Sequence, residues 1–87
     1  MGTETETTLT ERGKIYGDYH ELANIAQSLK EVMHNTDGWK NRLSHTHMEA
    51  LDLIATKIAR ILNGDPYHED NWLDLSGYST LAKDNRK

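Results

Sequence analysis

The chain has no cysteine, no phenylalanine, a single proline and no long apolar run. Without cysteine there are no disulfides, no thiolate nucleophile and no thiolate-based zinc site. Without phenylalanine, and with only two tryptophans and four tyrosines, the core must be filled by Leu, Ile, Ala and Met. The opening MGTETETTLTERG has no apolar stretch suited to a signal peptide or membrane span, so a soluble, cytoplasmic protein is expected. A clustered basic face is also missing. The net charge is -4, with Lys and Arg scattered among carboxylates, and this argues against duplex DNA as a partner.

What is present fits one small domain. At 87 residues the chain buries a modest fraction of its surface on folding, so a homo-oligomer is expected. Residues 1–10 are rich in Thr and Glu and read as a disordered tail, residues 11–84 as a single helical domain, and 85–87 as a frayed end. The fold class expected is all-α, a compact three-helix bundle. The first helix should run from about Asp18 to about His34. Asp18 and Glu21 form a capping-box-like start, and Leu22, Ile25, Ala26, Leu29, Val32 and Met33 recur at helical spacing. Asn35-Thr36-Asp37-Gly38 is turn chemistry, with Trp39 as an apolar plug beyond it.

Ser44 or Thr46 can cap the second helix, whose apolar stripe is Leu51, Ile54, Ile58, Ile61 and Leu62 and whose stop is Asn63-Gly64 followed by Pro66. The third helix should begin between Asp65 and Glu69, where acids suit the positive end of the helix dipole, and finish near Lys83. Gly77 inside it suggests a close helix crossing or a ligand against bare backbone.

The polar residues are more numerous than packing alone needs. Lys57 and Arg60, three apart, project from one side of the second helix together with Glu49 and Leu53. They form either a solvated face paired with Glu49 and Asp52, or a phosphate clamp in which Arg supplies a fork and Lys a point charge. Tyr16-Gly17-Asp18 can be a plain helix cap, or a turn that offers backbone N–H groups and a carboxylate to a ligand. Trp72 and Tyr78 suit either core packing or stacking on a base. Asp70 and Asp74 lie one turn apart, and Glu49 and Asp52 form a second acidic pair that could join them around magnesium. His45 and His47 do not share a helix face, which disfavours a zinc site there. His20 and His34 have no evident partner, and no serine, threonine or histidine triad is visible.

The run KIARILNGDPYHEDNWLDLSGY, with RGKIYGDY upstream, resembles a family of small phage and prophage proteins of unknown function. The resemblance covers most of residues 11–83 and implies an all-helical fold and a phage or prophage origin. More distantly the layout is similar to all-α nucleotide pyrophosphohydrolases of the MazG type, which imply magnesium held by an E-x-x-E and a later E-x-x-D motif. Here the second motif reads Asn71-x-x-Asp74 and the first glutamate pair is replaced or missing.

The expected function is therefore binding of a nucleotide-like small molecule without turnover and without a cofactor. Lys57 and Arg60 would hold phosphate, and Trp72 or Tyr78 would pack on a base. Asp18, Asp70 or Asp74 would read sugar or base donors, with the Tyr16-Gly17 turn before Asp18 offering its backbone N–H groups to the ligand. In a phage protein this would sequester a host immune signalling nucleotide. Two alternatives stand beside it: a magnesium-dependent pyrophosphohydrolase using Glu49, Asp52, Asp70 and Asp74, and an acidic inhibitor that binds a host defence protein.

Overall fold

The computed structural model describes residues 17–85; the expected tail at 1–10, Tyr16 and the last two residues lie outside them. Helix α1 spans Tyr19–His34, α2 spans His45–Asn63 and α3 spans Glu69–Asp84, with a short π-helical turn at Gly38–Arg42 between α1 and α2. The fold is all-α, and among the described residues there is no strand. No helix among them is long and apolar enough to cross a membrane.

Local chemistry sets the helix ends. The Asp18 carboxylate accepts a hydrogen bond from the Glu21 N–H at 3.2 Å, satisfying one of the open donors of α1. Ser44, not Thr46, caps α2, its hydroxyl accepting from the His47 N–H at 3.2 Å. Gly64 ends α2, its N–H donating to the Arg60 carbonyl. Asp65 turns the chain by accepting from the Tyr67 N–H at 2.9 Å, and Glu69 and Asp70 occupy the first turn of α3.

Helix α2 is the central element, with α1 packed antiparallel on one side and α3 antiparallel on the other. Having two neighbours changes what its apolar stripe does. The most deeply buried apolar positions of α2 are Ala50, Ala55 and Ala59, while the expected core residues Leu51, Ile54, Ile58 and Ile61 are half-buried and Leu62 is exposed. Small side chains win these places because they let two helices approach the same cylinder closely. On α1, Leu22 and Ala26 meet Ala59, with Ile25 against them, whereas Val32 faces solvent, contrary to its place in the expected stripe.

Both helix pairs are tied by polar contacts at their ends. On the α1 side, His34 Nε2 lies 2.7 Å from Asp52 Oδ1, and the Trp39 ring packs on His34 with centroids 4.2 Å apart. His34 thus gains a partner that sequence could not show. On the α3 side, His47 Nε2 lies 2.9 Å from the Ala82 carbonyl while Nδ1 lies 2.5 Å from Ser44 Oγ. A carbonyl only accepts, so Nε2 carries the proton, and in the neutral ring Nδ1 accepts from the Ser44 hydroxyl.

Gly77 lies in the open. A Cβ built there meets nothing within 4 Å, so the close crossing expected within the chain is absent, because the residue faces away from α2.

Candidate functional site

Three features follow one another along the seam between α2 and α3. Nearest the α2–α3 turn is Asn71, which α3 presents toward α2 and which is fully buried. Neither its Oδ1 nor its Nδ2 has a hydrogen-bond partner among the described residues. A buried primary amide left unpaired costs about 1–3 kcal/mol, so this residue works against the stability of the seam that holds it.

One turn along α3, Asp74 Oδ2 lies 2.6 Å from Lys57 Nζ. The Lys57 side chain is only 11% exposed, against 42% for Asp74. The solvated-face reading of Lys57 is therefore corrected: its ammonium is turned inward and its partner comes from α3, not from Glu49 or Asp52. The lysine depends on this carboxylate, because an ammonium at that depth has little water to replace it, whereas Asp74 keeps contact with solvent.

The next turn opens a groove of about 220 Å³ lined by Leu53, Tyr78, Ala50, Leu81 and Ala82, with Thr46 and Glu49 also bordering it. Leu53 precedes Lys57 by one turn of α2, and Tyr78 follows Asp74 by one turn of α3, so the ion pair closes one end of an apolar slot.

The other expected residues fall in two groups. Gly17 and Asp18 lie against the end of α2: Asn63 Nδ2 donates to the Asp18 carbonyl at 2.7 Å, and Gly17, at φ +80°, sits where a Cβ would come within 2.0 Å of the Asn63 carbonyl oxygen. Only glycine fits there, on grounds of both backbone angle and space. Lys57, Arg60 and Asn63 step round α2 three residues at a time, from the α3 seam to the start of α1, with Arg60 half-buried between. Trp72 stands apart. It is largely exposed, and its indole N–H donates to the Pro66 carbonyl at 2.9 Å, bracing the turn before α3.

The four carboxylates expected to share magnesium are dispersed. Asp52 is with His34, Asp74 with Lys57, and Asp70 lies 3.7 Å from His68, while Glu49 sits by the apolar groove. No group of three or more His, Asp or Glu among the described residues is arranged to hold a metal ion. Magnesium does not fit this arrangement.

The burial of Asn71 was not foreseen; the sequence marked the residue only through the Asn71-x-x-Asp74 pattern, which sets it three residues before Asp74 on the same side of α3.

These features define a small all-α module with an antiparallel helix hairpin whose inner seam is polar at one end and apolar at the other. The model for a domain of unknown function, DUF6378, matches residues 1–86, and the chain belongs to that family. No curated protein and no solved structure matches the chain.

Proposed function

We propose that this protein binds, without turnover, a small anionic ligand with a planar apolar body, a nucleotide-like molecule, in the seam between α2 and α3. The observation that carries the reading is the order of the seam: an unpaired buried amide, a largely buried ion pair, then an apolar groove of about 220 Å³. A phosphate can take the place of Asp74 as the counter-ion of Lys57, because Asp74 is exposed enough to turn to water while Lys57 is not. Arg60, one turn further, supplies a second cation with a planar fork. Asn71 offers an NH2 donor group and a carbonyl acceptor to a ligand that reaches the seam. Tyr78 and Leu53 offer apolar surface to a base. With the phage or prophage origin that the sequence resemblance implies, the role this fits is sequestration of a host signalling nucleotide.

Native mass spectrometry and calorimetry with mono-, di- and cyclic nucleotides test the reading. A saturable mass shift, with the nucleotide recovered intact, is expected. It should be lost in Asn71→Leu and weakened in Arg60→Gln and Tyr78→Ala, all three folded by circular dichroism. If folded protein binds none of these nucleotides, the reading fails and a protein partner takes its place.

A further inference from the structure

The start of α2 holds a chain of three hydrogen-bonding groups that the helix needs only in part. The Ser44 hydroxyl oxygen caps α2 by accepting from the His47 N–H at 3.2 Å. Capping uses that oxygen alone, and water could take the hydroxyl proton. Instead the hydroxyl donates to His47 Nδ1, 2.5 Å away, while the far nitrogen of the same ring donates to the Ala82 carbonyl of α3 at 2.9 Å. The usual side chain at this place in a cap is Glu or Gln, which reaches back to a backbone N–H; here an imidazole takes the hydroxyl proton. A hydroxyl bonded to a neutral imidazole whose other nitrogen is fixed by a third group is the arrangement that activates a serine. The sequence hides it, because the orienting carbonyl lies 35 positions beyond His47.

We infer that Ser44 is a nucleophile that accepts an acyl group from a carboxylic ester, with His47 as its base. The Oγ attacks the acyl carbon as its proton passes to Nδ1. The ring is then an imidazolium with N–H at both nitrogens, and the Ala82 carbonyl holds one of them. Nδ1 gives the proton to the departing alcohol oxygen as the C–O bond breaks, which leaves an acyl ester on Ser44 and a free alcohol. A water molecule, deprotonated by the same nitrogen, then attacks the acyl carbon, releases the acid and restores the hydroxyl. Negative charge on the acyl oxygen at the tetrahedral stage falls beside the first N–H groups of α2, at His45 and Thr46. Both residues are exposed and Ser44 is half-buried, so an ester in solution can reach the hydroxyl. Thr46 and Ala82, on either side of this chain of groups, also border the apolar groove, which suits a short aliphatic acyl group better than a charged one. A backbone carbonyl is a dipole rather than a full charge and steadies an imidazolium less than a carboxylate does, so turnover should be slow. Nucleotides offer no carboxylic ester to attack, and this inference does not rest on the ligand reading.

The test uses p-nitrophenyl acetate, p-nitrophenyl butyrate and phenylmethanesulfonyl fluoride on the whole protein, with the labelled residue located by peptide mass mapping. The expected adduct is at Ser44 and forms about 100-fold faster than at Ser79, which is exposed and stands for an unactivated serine in the same chain. His47→Gln, whose amide can still donate to the Ala82 carbonyl, should keep the fold by circular dichroism and slow labelling at Ser44 about 100-fold. Ser44→Asn, an equally good cap without a nucleophile, should lose the adduct. Labelling at Ser44 no faster than at Ser79 with any of the three reagents overturns the inference, and so does an unchanged rate in His47→Gln. An adduct confined to His45 or a tyrosine overturns it as well.

Discussion

Helix α2 has two seams of opposite character. Against α1 it is small and apolar, with Leu22, Ala26 and Ala59 in contact and polar ties toward the ends, at His34–Asp52 and Asn63–Asp18. Against α3 it buries Lys57 and the unpaired amide of Asn71. Burial of apolar surface accounts for the first seam. The second carries groups whose burial is unfavourable unless something satisfies them. Stability is concentrated in one seam and chemical capacity in the other.

The sharpest way to break that contrast is to remove a counter-ion. Asp74→Ala leaves the Lys57 ammonium enclosed without a partner and should cost about 3 kcal/mol, read as a lower denaturant midpoint at constant slope. Combining it with Lys57→Met should recover most of that loss, because the charge goes and the packed stem remains. An unchanged midpoint in Asp74→Ala would mean that the seam is wet.

Ala59→Leu tests the apolar seam. Side-chain bulk at a fully buried contact with α1 should cost about 2 kcal/mol and leave nucleotide binding unaltered in the fraction that stays folded. Asn71→Leu should move the other way. Exchanging an unpaired amide for an apolar side chain branched at the same atom should raise stability by about 1 kcal/mol while abolishing ligand binding. A loss of stability would show that the amide is satisfied in solution. The smallest effect is expected at Gly77→Ala, where a methyl group meets open space. Helix propensity should add about 0.5–1 kcal/mol, read as a higher denaturant midpoint.

How far the sequence revealed these features depended on how local they were. Asp18, Ser44 and Gly64 act within one turn, so the limits of α1 and α2 could be read from spacing alone, and α3 starts and stops where its acids and Lys83 place it. The short π-helical turn at Gly38–Arg42 had no comparable signal. Pairings across the fold were hidden. Lys57 and Asp74 are seventeen positions apart and His34 and Asp52 eighteen, and many carboxylates could have served Lys57 or His34. Leu62 and Val32 were misjudged for a related reason, as was Gly77 in so far as it was read as a close helix crossing: helical periodicity marks a face, but only packing decides whether that face is covered.

The α2–α3 hairpin is fastened at both ends. Next to the turn, the Trp72 indole grips the Pro66 carbonyl; at the far end, His47 grips the carbonyl of Ala82 and is itself steadied by Ser44. A pair of rods clamped at each end cannot spread in the middle without releasing a clamp, though each can still roll about its own axis. The ligand proposed for this seam would therefore have to be admitted by rotation of side chains. Thin, flat molecules pass such a slot far more easily than round ones, and loosening His47 should widen the range of shapes it admits.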